Sequence, residues 1–235
     1  MTSEPAATSE PAATTDLRSD LLEQFEKLLP GHRDIGEELA ERYAEPHRHY
    51  HGLGHLAFVL DRIDAFATGS HDLFSVRLAA WFHDAVYAIP PGQISNEEAS
   101  ARLAIRTLVR SGFEQEELGE IARLVRLTEQ HRTSGSDING ELLCDADLAI
   151  LASPAEEYRR YVDAVRAEYS RLSDEEFAAG RLQVLLSLGG RTLFRTHAGR
   201  KINSVAQQNL ASEALELIDR LGVRDDLDPE AWPLA

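Results

Sequence analysis

The stretch Leu78–Tyr87, LAAWFHDAVY, constrains this chain more than any other. An apolar helical run ends there in a His–Asp pair, His83-Asp84, with aromatics on both sides. Burying two such ionisable groups without partners is costly. A divalent metal holding a neutral imidazole and a carboxylate is one efficient compensation. A plain His–Asp hydrogen bond or a helix-end pair is the other. A two-letter motif does not choose between them, so the remainder of the chain has to.

Residues 2–13 are TSEPAA written twice, a low-complexity tail without hydrophobic period, and residues 1–15 are expected to be disordered. From Asp16 helical spacing sets in: Leu17, Leu21, Leu22, Phe25, Leu28 and Leu29, stopped by Pro30-Gly31. Ile35, Leu39 and Tyr43 mark a short second helix before Pro46. A third is expected to carry His51 and His55 at i and i+4 on one face, with Gly52 and Gly54 loosening its first turn. Another should run from about His71 to Tyr87. Ser95 and Glu98 are spaced as a capping box for the next.

The stretch 114–131 reads as an amphipathic helix through Leu118, Ile121, Leu124 and Val125, ending at His131. After a polar loop at 133–140 comes ELLCDADLAILA, 141–152. Ser153 as N-cap with Pro154 at N1 predicts one further helix, and Ser173 with Glu176 predicts another. The last is expected over about Val205–Leu221, followed by an acidic tail, 223–235. No sustained alternating pattern and no hairpin signal appears. The expectation is an all-α bundle of about nine or ten helices, one domain over 16–222.

Composition narrows function. With 24 Lys and Arg against 40 Asp and Glu, the net charge is −16, which argues against duplex nucleic acid as a partner. A small phosphorylated substrate stays open, because a bound metal inverts the local field. The single cysteine, Cys144, excludes an intramolecular disulfide and any Cys-rich zinc module. No apolar run is long enough for a membrane span and no signal-peptide core precedes the helices, so a cytoplasmic location is expected.

Four separated groups then line up: His51/His55, His83-Asp84, His131 and Asp145/Asp147. Imidazole mixed with carboxylate suits Mn, Co, Ni, Fe or Zn, with Mg as a further candidate, and not an all-oxygen calcium site. Residues two apart on a helix point about 200° away from one another, so only one of Asp145 and Asp147 can face such a metal.

RHYHGLGH at 48–55, AAWFHDAVY at 79–87, NEEASA at 96–101, LCDADLAIL at 143–151 and the run from Tyr158 to Arg191 together resemble the HD-domain superfamily of metal-dependent phosphohydrolases. The match is narrower still to a bacterial subgroup of predicted HD phosphohydrolases, over about residues 17–220. The resemblance implies an HD-domain-like helical bundle in which His55, His83, Asp84 and Asp147 bind the metal. It also implies that Glu97, in the NEE segment, borders the pocket. One departure is that the final A-x-x-N-L, Ala206 to Leu210, lacks the glutamate expected before it.

Candidate catalytic residues are Asp84, Glu97 and His51; candidate substrate-binding residues are Arg48, His131 and Arg166, with Lys201 a further cation. His51 is read as a ligand, a substrate contact or a neighbour that orients a ligand. His131 serves either the helix C-terminus, through its last carbonyls and dipole, or the metal and phosphate. Trp81, Phe82 and Tyr87 are expected in the core, and His32, His47, His49, His71 and His197 on the surface. The resulting expectation is hydrolysis of a nucleotide or other small phosphate ester by metal-activated water. A catalytically silent metal- or nucleotide-binding module, a di-iron oxygenase on the same scaffold and a homodimeric assembly are the alternatives kept open.

Overall fold

The computed structural model describes residues 10–223, with side chains from Asp16 onward. The expected acidic tail and the first nine residues lie outside that range. Within it the chain is all-helical, with ten α-helices and no strand among the described residues. They are α1 (Glu10–Leu28), α2 (Arg33–Tyr43), α3 (Leu53–Phe66), α4 (Leu73–Phe82), α5 (Asn96–Leu108), α6 (Gln115–Leu127), α7 (Ile138–Leu148), α8 (Ala155–Glu168), α9 (Asp174–Gly189) and α10 (His197–Leu221). Short 3₁₀ segments follow α5 and α7. None of these helices is long and apolar enough to cross a membrane.

Local chemistry sets most of the starts. Asp72, Ser95, Asp137, Ser173 and Thr196 each accept a backbone N–H in the first turn that follows, a bond worth about 1 kcal/mol apiece. Ser173 and Glu176 form a reciprocal capping box, and so do Glu114 and Glu117. Gly112, at φ +81°, takes the left-handed turn after the 3₁₀ segment that follows α5, where a Cβ would be strained.

Two apolar clusters hold the helices together. The first joins α1 to α7 around Phe25, Tyr43, Leu56, Ile63, Trp81 and Ile121, with Phe25 edge-on to Trp81 at 4.8 Å. The second joins α8, α9 and α10 around Tyr158, Leu185, Phe194 and Leu210. Phe58 and Ile202 pack against both. Packing of α3 on α4 and α7 brings three chemically marked segments to one place.

Several boundaries differ from the sequence expectation. α1 begins at Glu10, inside the stretch read as a disordered tail. α4 stops at Phe82, although the apolar pattern runs on to Tyr87, because the chain turns at His83-Asp84. α3 starts at Leu53, so His51 precedes it and does not share a helical face with His55. α6 ends at Leu127, four residues before His131, which takes a left-handed backbone at φ 51°. Pro154, not Ser153, caps α8. α10 begins at His197, well before Val205, because Thr196 caps it and its polar first turns dock on the core. Trp81 and Phe82 are buried in the core, whereas Tyr87 is only half-buried and turns to the site below.

Candidate metal centre

The centre begins with the exit of α4. A helix end leaves carbonyls without intrahelical donors, and here Arg48 supplies them. Its Nη1 donates to the Asp84 carbonyl at 2.6 Å and the His51 carbonyl at 3.1 Å, and Nη2 reaches the Ala85 carbonyl at 3.4 Å. Glu45 holds Nε at 2.9 Å, and the guanidinium lies over the rings of Tyr43 and Tyr87. Tyr43 accepts the Asp84 N–H at 3.3 Å from the other side. This frame sets His83 and Asp84 in a fixed turn.

His83 Nδ1 lies 2.7 Å from the Ala80 carbonyl. A carbonyl only accepts, so Nδ1 carries a proton, and Nε2 is the nitrogen turned to the neighbouring carboxylates and imidazole. His55 Nε2, from the first turn of α3, stands 3.1 Å away. Asp84 Oδ2 lies 3.4 Å from His55 Nε2 and 3.2 Å from His83 Nε2. Asp147 Oδ1, near the end of α7, lies 3.2 Å and 3.7 Å from the same two nitrogens.

These separations suit a cation. Ligands about 2.1 Å from one ion stand roughly 3.0 Å apart in an octahedron and 3.4 Å in a tetrahedron. The ligand atoms of His55, His83 and Asp84 all fall within 4.8 Å of one another, so this buried trio could hold a metal ion. Two imidazole nitrogens this close need a proton or a metal between them. Burial opposes charge on all four groups, yet the contacts override it. Asp84, beside His83 and hydrogen-bonded to His55, lies well below the usual carboxylate range, and so does Asp147, bonded to His131 and both imidazoles. His55 and His83 are raised by the same two carboxylates.

Asp147 and Asp145 face opposite ways, as helical geometry requires. Asp145 is fully buried and accepts from the Arg195 and Thr196 N–H groups and the Thr196 hydroxyl, at 2.7–3.0 Å. It anchors the start of α10. Gly199 leaves room for it, since a Cβ there would collide with the Asp145 carboxylate.

His131 Nε2 is 2.8 Å from Asp147 Oδ2, so it holds in place the carboxylate that lies beside the trio. His51 stacks on Tyr87 with centroids 4.4 Å apart, and its Nδ1 is 2.7 Å from Glu168 Oε2. Glu97, half-buried in the first turn of α5, has its carboxyl raised by burial, with the Asp84 and Glu129 charges adding to the effect. Contrary to the expectation that it borders the pocket, it does not line the cavity beside the donors. Glu98 does not close the expected capping box; it pairs with Arg102 at 2.6 Å and Arg126 at 2.5 Å.

Two expected phosphate partners have other work. Arg48 is spent on the carbonyls described above, its side chain 0% exposed. Arg166 binds Asp174 at 2.8 Å and the carbonyls of Tyr169 and Leu172, locking the α8–α9 connection, and it does not line the cavity beside the donors. Lys201 does not line it either.

Glu168 is the site residue that sequence reasoning missed. Its carboxylate takes four donors: the N–H groups of Tyr50 and His51, His51 Nδ1, and the Tyr87 hydroxyl, at 2.7–2.8 Å. Burial would raise its carboxyl, but the His51 hydrogen bond and charge bring it down to about 2. A signal was present: Glu168 shares a face of α8 with Tyr158, Tyr161 and Val165, a carboxylate in an apolar stripe.

A cavity of about 660 Å³ opens beside the centre, lined by His51, His55, His131 and Asp147 together with residues of α9. It lies where the two apolar clusters meet. Compared with known proteins, the chain matches no family model, no curated protein and no solved structure.

Proposed function

We propose that this chain is a metal-dependent phosphohydrolase of the HD-domain superfamily, acting on a nucleotide or another small phosphate ester. The observation that carries the reading is the convergence of His55, His83, Asp84 and Asp147 from three segments onto one point beside a cavity. Two nitrogen and two carboxylate donors favour Mn, Co, Ni, Fe or Zn. When bound, such an ion polarises a phosphoryl oxygen and lowers the pKa of water.

The protein's own groups handle the protons. Glu168 is ionised and only accepts, so His51 Nδ1 bears a proton and Nε2 is the ring nitrogen left to exchange one. His51 Nε2 takes the proton from the water whose oxygen attacks phosphorus, and Glu168 stabilises the imidazolium that forms. Glu97, with its raised carboxyl, gives a proton to the leaving oxygen as the P–O bond breaks.

The test joins metal content with hydrolysis. Wild type and Asp84→Ala are assayed for bound metal, then with Mn²⁺, Co²⁺, Ni²⁺ and Mg²⁺ against nucleotides, phosphomonoesters, diesters and pyrophosphate. Metal retention and phosphate release that both vanish in the variant support the reading. Metal bound by wild type without turnover on any substrate rejects the enzyme and leaves a metal-binding module. Equal occupancy in both proteins rejects the ligand set.

A further inference from the structure

The cavity beside the metal donors carries more positive charge than those donors need. Three arginines line it: Arg132, Arg181 and Arg191. Arg181 is already neutralised, bound through two nitrogens to the Glu213 carboxylate at 2.8 and 3.0 Å and to the Tyr161 hydroxyl at 3.0 Å. Arg132 and Arg191 are not. Among the described residues neither has a carboxylate within ion-pair distance, in a chain with 40 acidic residues to choose from.

Arg191 is half-buried, and one nitrogen, Nη1, donates to the Gln130 carbonyl at 2.7 Å. That bond seats it against the loop that carries His131, with Arg132 as the next residue of the same loop. Burial, Arg132 and Arg195 all act against its charge. Two cations near enough to act on one another without a counter-ion, Arg132 exposed and Arg191 half-buried, gain from a bound anion, and a guanidinium fork fits phosphate oxygens in particular. Two carboxylates line the same cavity: Asp147, held by His131 and the imidazoles, and the exposed Glu129, which among the described residues is not in ion-pair distance of either arginine.

Arg191 is bonded to the Gln130 carbonyl and His131 to Asp147, so the pair is tied to the loop that carries His131 and, among the described residues, makes no bond to the metal donors. The cations therefore address a different part of a ligand from the donors. Leu148, Leu151 and Leu188 give the cavity apolar wall as well. We infer that Arg132 and Arg191 form a second anion position, and that the substrate is a small phosphate ester bearing a further anionic group remote from the scissile phosphate. This inference rests on the phosphohydrolase reading.

Non-hydrolysable probes test it. Calorimetry on Mn²⁺-loaded protein compares alkane α,ω-bisphosphonates with alkyl monophosphonates of matched chain length. In wild type, bisphosphonates of fitting length bind at least about tenfold tighter. The gain disappears in Arg132→Gln/Arg191→Gln, while monophosphonate affinity is unchanged. Arg132→Gln alone, which removes no hydrogen bond or ion pair among the described residues, loses part of the gain and controls for misfolding. No gain at any length, or a gain that survives the double substitution, overturns the second position. Metal-dependent monophosphonate binding without that gain rejects only this inference. Failure of wild type to bind metal or monophosphonate rejects the hydrolase reading along with it.

Discussion

Glu168 and His51 are 117 residues apart in the chain and meet twice. Oε1 of the carboxylate accepts the His51 backbone N–H at 2.8 Å, and Oε2 accepts its ring Nδ1 at 2.7 Å. One carboxylate thus fixes both the backbone that precedes α3 and the tautomer of the ring.

Glu168→Gln keeps the shape but removes the charge that stabilises the imidazolium. On the proposed hydrolase reading, kcat is expected to fall by roughly a hundredfold, in line with the loss of general-base assistance, with metal occupancy retained. Steady-state kinetics with metal analysis check this. A KM effect alone would contradict it.

The same residue has a pH signature. Its folded carboxyl lies at about 2, against an ordinary 4.5, so the unfolded chain binds the proton first as pH falls. The stability it contributes is complete above about 4.5 and is lost as pH drops towards 2. Urea midpoints of wild type should decline more steeply across that window than those of Glu168→Gln. Parallel curves would contradict the linkage.

The two aspartates of α7 should separate cleanly. Asp145→Ala leaves three donors at the start of α10 without an acceptor, and should cost about 3 kcal/mol of stability with metal affinity kept. Asp147→Ala should abolish or sharply weaken metal binding. Denaturant titration and metal titration of both variants decide the matter.

His131→Ala removes the group that holds Asp147 Oδ2 at 2.8 Å. Metal affinity is expected to drop by about 10- to 100-fold, the usual effect of losing a partner that orients a ligand. Competition with a chelator measures it, and an unchanged affinity would show that Asp147 is held without His131.

Arg48→Gln should behave as a folding mutant. Its guanidinium is the donor to three backbone carbonyls around the HD turn, so stability should fall by about 3 kcal/mol. A variant that keeps wild-type stability but raises KM would restore the phosphate-binding role expected from sequence.

Helix content was legible because it is local. Apolar spacing located most of the helices, and Ser95, Ser173 and the Asp145/Asp147 geometry could be read within a few residues of themselves. Boundaries slipped where tertiary contacts replaced helical bonds. The α4 pattern runs through Ala85 and Tyr87, yet the helix stops at Phe82 because Arg48 and Tyr43 satisfy the turn from outside. α10 starts early because Asp145, on another helix, accepts the N–H groups that precede it.

The residues alone determined that this chain is all-α and put forward His51/His55, His83-Asp84, His131 and Asp145/Asp147 as candidate donor groups, since periodicity and ligand chemistry are carried by residue type and spacing. It was the family resemblance that singled out His55, His83, Asp84 and Asp147. Only the tertiary structure decided what the remaining charged residues do. Arg48 became a helix-end clamp, Arg166 a loop lock, Glu168 the partner of His51, and Arg191 a cation beside His131. The reason is that a long charged side chain takes its role from whichever group folding sets within about 3 Å of its tip, and spacing along the chain does not encode that distance.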